Sequence, residues 1–169
     1  MTLSRRHLLR MPALALPLAL AGCGFALRRP AVLQLSTVSL KGFASRSSMA
    51  DDLRYAIEKR GSTRVVEAQA QAVLEQLGGS RDRVMAAQTT AGQVRELTLR
   101  LHFKFQVLHA SGKVAIAPSE LVLTRDLSYN ESVALAKEQE EELLYRAMQA
   151  DIVSQVLRRL ATVVPEVAA

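Results

Sequence analysis

Glu96-Leu97-Thr98-Leu99-Arg100-Leu101-His102-Phe103-Lys104-Phe105-Gln106-Val107 alternates without a break: every odd position is apolar and every even one polar or charged. That period of two is the signature of a β-strand with one buried and one polar face. The run is about twice the usual five or six residues of a strand. It predicts a sheet that is covered on one side only.

The neighbouring segments read outward from this strand. Ala110-Ser111-Gly112-Lys113 turns the chain, and Leu121, Leu123, Leu127 and Tyr129 resume the alternation on another strand. Arg125 shares their parity, so it either interrupts the buried face or snorkels at its end. Pro118 is expected before the regular part of this strand, since a central strand does not accept the missing donor. Upstream, Ala72 to Leu77 predicts a strand, and Gly78-Gly79-Ser80 marks a bulge or a loop. Val32 to Leu40 predicts the first strand, ended by Gly42.

Two segments carry helical spacing. From Ser47 to Arg60, Met49, Leu53, Ala56 and Ile57 recur on one face, with Ser47 or Ser48 to cap and Gly61 to stop. From Ser132 to Val163 there is no Gly or Pro, and Ala136, Leu143, Ala147, Ala150, Val153, Leu157 and Leu160 step by three, four or seven. Glutamates 138, 140, 141 and 142 come first along it and Arg146, Arg158 and Arg159 follow, which suits the helix dipole. The predicted order is β-α-β-β-β-α. Two helices are too few to line both faces, so the expected fold is α+β: a two-layer sandwich, a four-stranded sheet with two helices on one face.

The first segment reads as an address. Arg5, Arg6 and Arg10 precede an apolar run from Met11 to Ala21, which is the charged start and core of an export signal and too short to span a membrane. Leu20-Ala21-Gly22-Cys23 resembles the bacterial lipobox, in which the chain is cut before the Cys and the thiol takes up diacylglycerol. Cys23 is therefore the expected lipidation site, with N-acyl and S-diacylglycerol groups. Gly24 replaces the Asp that commonly retains such proteins at the inner membrane, which points to the outer membrane. Ser4-Arg5-Arg6-His7-Leu8-Leu9 fits either a twin-arginine motif or a plain basic start. The expected organisation is a signal over 1–22, a lipidated tether over 23–31 and one domain over 32–169.

Charge narrows the function. The chain has 169 residues and a formal net charge of +6. Removing residues 1–22 leaves 147 residues with 19 Lys+Arg against 16 Asp+Glu, a formal +3. A lipoprotein facing the periplasm has no nucleic acid to meet, so an anionic lipid, glycolipid or partner is the expected anion. The single Cys excludes a disulfide framework and a Cys-rich zinc site. His102 and His109 lie seven apart on one strand and face opposite ways, so they cannot share a metal or a proton. No catalytic motif, metal site or cofactor is expected; a twin-arginine-exported enzyme would be betrayed by a bound cofactor. Binding or assembly is the better reading.

Between Arg81 and Lys104 the chain places Arg81, Arg83, Arg95, Arg100 and Lys104 against Asp82 and Glu96. With Arg125 these cations are candidates to bind phosphate or carboxylate groups. The alternative is a solvated strand face with edge-protecting cations.

Cys23-Gly24-Phe25-Ala26-Leu27-Arg28 resembles the C-G-F-x-L-R opening of the LPS-assembly lipoprotein LptE family. Ala134-Leu135-Ala136-Lys137-Glu138 and the later Arg158-Arg159-Leu160 are similar to that family's A-L-A-K-[DE] segment and basic helix end. The resemblance implies an outer-membrane lipoprotein inside the lumen of the LptD β-barrel, which assists the barrel's assembly, acts as its plug, and binds lipopolysaccharide for insertion into the outer leaflet. Many relatives have two basic residues at the hairpin tip, where this chain has Thr89-Thr90-Ala91-Gly92. The lipopolysaccharide site thus rests on Arg81, Arg83, Arg95, Arg100, Lys104 and Arg125 through charge and parity alone. The alternative is a free-standing periplasm-facing lipid-binding or scaffold lipoprotein.

Overall fold

The computed structural model describes residues 32–166. The expected export signal over 1–22, Cys23 and the expected tether over 23–31 fall outside the described residues. Within them the elements are β1 (Thr37–Lys41), α1 (Ser48–Glu58), β2 (Arg64–Val65), β3 (Ala72–Gln88), β4 (Val94–His109), β5 (Val114–Ser128) and α2 (Ala134–Leu160), the last entered through a 3-10 turn at Glu131–Val133.

The alternation of β4 settles the architecture as expected. Leu97, Leu99, Leu101, Phe103, Phe105 and Val107 are all buried, and they share one core with Leu53 and Ile57 of α1 and Met148, Ile152, Val156 and Leu160 of α2. Both helices therefore cover the same face of the sheet. The fold is α+β with a mixed sheet, but the sheet has five strands in the order β2-β1-β3-β4-β5 and not four. The added strand is β2, two residues parallel to β1. Two residues are too few for a period to show.

Strand lengths also differ from expectation. Strand β3 does not stop at Leu77; it runs 17 residues through the glycines, with an irregularity between Gln76 and Gly78. Pro118 lies inside β5, which starts at Val114 and not near Leu121. β5 is the edge strand, and its register with β4 shifts between Val107↔Ile116 and Phe105↔Ser119, so the proline occupies a break in the ladder. Strand β1 begins at Thr37; Leu33 and Leu35 are buried ahead of it without joining the ladder.

Helix α1 is capped by Ser47, whose hydroxyl accepts from the Ala50 N–H, and Gly61 follows in the left-handed region at φ +75°. Helix α2 is where the periodic reading took the wrong phase. Ala136, Leu143, Ala147 and Ala150 are exposed, whereas Tyr145, Met148, Gln149, Ile152, Val153, Val156, Leu157 and Leu160 are buried. Both stripes fit a helical period; the one with the larger side chains removes more apolar area from water and takes the core. The expected Val153, Leu157 and Leu160 are in it.

The molecule has two ends along the strands. At the entry end lie Thr37, Ala72, His109 and the β4–β5 turn, held by hydrogen bonds from Ala110 N–H to Gln71 O and from Gln71 N–H to Thr37 Oγ1. At the tip end the β3–β4 hairpin closes at Thr89–Gly92, where Gly92 N–H donates to Thr89 O. Helix α1 follows β1, and α2 follows β5, so both helices run from the tip end toward the entry end.

Candidate functional site

The irregularity in β3 decides which cations meet the helices. Leu74 pairs with Val107, on the covered face. One extra residue at Leu77 reverses the parity, so that Arg81 pairs with Leu101 and Arg83 with Leu99, again on the covered face. Gly79 suits this place, because an added Cβ would press against the Gln76 side chain and the His102 carbonyl. Gly42, at φ +77°, brings the loop after β1 against the Gln76 carbonyl so closely that a Cβ would clash.

On the covered face, arginines of the two outer long strands grip α2. Arg81 Nη1 lies 3.2 Å from Glu142 Oε2, its Nη2 donates to Gln149 Oε1 at 3.2 Å, and its guanidinium sits 5.0 Å from the centre of the Tyr145 ring. Arg83 pairs with Glu141 at 3.3 Å, and Arg125, opposite Leu99, with Asp151 at 3.2 Å. Gln149 is 5% exposed. It accepts from Ser48 Oγ and donates to Asp52 Oδ2 at 2.7 Å, which joins α1 to α2 and to β3. Tyr145 Oη donates to Asp82 O at 2.8 Å. Burial pushes the Tyr145 phenol above its ordinary pKa, with Glu141 adding to the shift and Arg81 opposing it.

The open face carries Arg100 and Lys104, both exposed as parity predicts. It is not a basic surface. Arg100 stands opposite Asp82, and Lys104 opposite Glu120. His102 between them has Glu120 Oε1 at 3.0 Å from Nδ1 and Asp82 Oδ2 at 3.7 Å from Nε2, so one imidazole links β3, β4 and β5. Thr98 donates to Asp126 and Gln106 to Glu75 on the same face. Arg100 and Lys104 form no ion pair among the described residues.

The six cations chosen from sequence thus fall into three places. Arg81, Arg83 and Arg125 are on the covered face and ion-paired; Arg100 and Lys104 are on the open face; Arg95 is exposed near the hairpin tip. The polar residues that join them to the helices, Gln149, Tyr145, Glu141, Glu142 and Asp151, escaped the sequence reading. Of these, the glutamates were legible only as anions near a helix start. His109 lies at the entry end with its Nδ1 buried and unbonded, far along the strand from His102. Among the described residues no group of three or more His, Cys, Asp or Glu is placed to hold a metal ion, and no helix is long and apolar enough to cross a membrane.

Residues 35–160 match the family model described as LptE, lipopolysaccharide-assembly. A search of curated proteins finds no match. Among solved structures the chain is similar to an uncharacterized lipoprotein B from Nitrosomonas europaea, with 29% identity and a TM-score of 0.70 over 82% of this chain and 90% of that one. It shares its fold with the rare lipoprotein B of Shewanella oneidensis, at 24% identity and a TM-score of 0.66 over 75% of this chain and 95% of that one. It does so also with a minor lipoprotein of Acinetobacter baumannii, at 19% identity and a TM-score of 0.63 over 79% and 97%. With the family model spanning the sheet and both helices, this chain belongs to the LptE family of lipopolysaccharide-assembly proteins.

Proposed function

We propose that the protein is an outer-membrane lipopolysaccharide-assembly lipoprotein, acylated at Cys23, that plugs the LptD β-barrel, assists its assembly and helps lipopolysaccharide into the outer leaflet without catalysis. The family match over residues 35–160 carries this reading. The geometry supports it. A plug meets a wet, polar barrel interior, and the domain exposes a polar sheet face and a charged outer helix face together. Cross-strand alternation of Arg100, Lys104, His102, Asp82 and Glu120 gives the open face donors and acceptors of both signs.

Lipopolysaccharide carries phosphates, so its contacts are sought among the six cations. Arg95, Arg100 and Lys104 make no ion pair among the described residues and can meet a phosphate at once. Arg81, Arg83 and Arg125 would first have to release Glu142, Glu141 and Asp151.

Detergent extraction followed by affinity purification tests the reading. An LptD-type barrel should co-purify, and depletion of the chain should leave that barrel misassembled. Extraction of the chain alone, with normal barrel levels and normal surface lipopolysaccharide after depletion, would leave a free-standing periplasm-facing lipoprotein instead.

A further inference from the structure

The fold sorts its cations by height along the strands. Arg81, Arg83, Arg125 and Lys137 each hold a carboxylate. The entry end differs. Lys59 caps the end of α1 with Arg60 just beyond it, and the last turn of α2 delivers Arg158 and Arg159 there; Arg64 opens β2 opposite Thr37, and Lys113 lies in the β4–β5 turn. Glu58, Glu67 and Glu166 are the carboxylates of the same region, with Glu166 drawn in by Ser111 Oγ at 2.6 Å. Six cations meet three anions, whereas residues 32–166 as a whole carry 17 Lys+Arg against 16 Asp+Glu. Among the described residues Lys59, Arg64, Lys113, Arg158 and Arg159 form no ion pair.

Exposed aliphatic side chains accompany these charges: Val32, Val114 and Val164 are 75%, 52% and 58% exposed. Cations interspersed with exposed aliphatic groups are what an interfacial surface needs, since headgroup phosphates take the charges and the acyl boundary takes the methyls. The sequence points to the occupant. Cys23 precedes Val32 by nine residues, a tether of at most about 30 Å, and Arg28 and Arg29 lie within it.

We propose that the entry end of the sheet, bearing Lys59, Arg64, Lys113, Arg158 and Arg159 with Val32, Val114 and Val164, docks on an anionic phospholipid surface. The inference rests on the acylation of Cys23 proposed above, which brings this end to the bilayer. It adds an orientation that a flexible tether does not supply. With the entry end on the headgroups, the 17 residues of β3 carry the Thr89–Gly92 tip about 55 Å from it.

The test uses the full chain expressed with its own leader and floated with phosphatidylcholine vesicles, with and without phosphatidylglycerol, at low salt. Amine-reactive labelling then reads Lys59 and Lys113 at the entry end against Lys104 and Lys137 as internal controls. Labelling of Lys59 and Lys113 should slow several-fold on the anionic vesicles alone, with the controls unchanged and the effect removed by salt. In the exposed-residue variant Arg64→Gln/Lys113→Gln/Arg158→Gln, Lys59 should label on anionic vesicles as fast as on neutral ones. Equal labelling on both vesicle types, or slowing at all four lysines, overturns the docking surface. Failure to float with neutral vesicles overturns the acylation of Cys23 separately, because the anionic vesicles still report on the charged end.

Discussion

Arg81 Nη2 and Gln149 Oε1 are 3.2 Å apart across the covered face of the sheet, and the same Gln149 amide reaches Asp52 at 2.7 Å. One buried side chain therefore joins strand β3 to both helices. A buried amide bonded at both of its polar atoms is costly to break, because its partners are left without it.

Gln149→Leu should lower stability by about 1–3 kcal/mol, since the apolar side chain leaves Arg81, Ser48 and Asp52 without their shared partner. The midpoint of urea unfolding should fall with its slope unchanged. A midpoint equal to that of the parent chain would mean that water or other side chains replace the amide fully.

Arg81→Ala should cost more than Arg83→Ala or Arg125→Ala. The latter two guanidiniums each meet a single carboxylate at the surface, an interaction worth less than about 1 kcal/mol. Arg81 in addition serves Gln149 and stacks on the Tyr145 ring. Thermal unfolding of the three variants gives the order directly; equal losses would remove the distinction.

Tyr145→Phe should cost about 0.5–1.5 kcal/mol through the lost bond to Asp82 O. It should also change the alkaline limb of the stability curve. Burial raises the phenol in the folded state above its unfolded value of about 10. The stability linked to Tyr145 is thus fully present below that unfolded value and is lost as pH rises through the folded one. Denaturation measured at stepped alkaline pH should show a shallower decline in the variant than in the parent.

Gly42→Ala should destabilise by about 1–3 kcal/mol, the cost of a strained left-handed residue, with a Cβ driven against the Gln76 carbonyl added to it. Gly61→Ala has the same sign of φ and nothing within 4 Å of the new Cβ, so it should cost less. A comparison of the two melting temperatures separates strain from collision.

Arg100→Ala/Lys104→Ala should weaken binding of purified lipopolysaccharide, and the loss should grow as salt is lowered. The substitutions leave Asp82 and Glu120 opposite neutral positions and so make the open face more negative. Unchanged affinity at low salt would mark that face as merely solvated.

Much of the covered face was legible because a strand's period is local. Leu97 through Val107 were predicted buried on odd positions and are, and Arg100 and Lys104 were predicted exposed and are. The same local logic could not follow β3 past Gly78-Gly79. One unpaired residue reverses every side chain after it, and its presence is a fact about pairing with β4. Hence Arg81 and Arg83, legible as cations in a basic stretch, turned out to be partners of Glu142 and Glu141, 61 and 58 residues away.

By itself the sequence determined the alternating strand, the two helices and the one-sided sheet, because each is written in periods that a short stretch of backbone enforces. Only the tertiary structure decided which stripe of α2 is buried, that Pro118 sits at an edge, and which cations are neutralised. Those outcomes depend on competition between distant groups for the same space. The larger stripe displaced Leu143 and the alanines from the core, and the parity set by one extra residue in β3 carried Arg81 to Gln149.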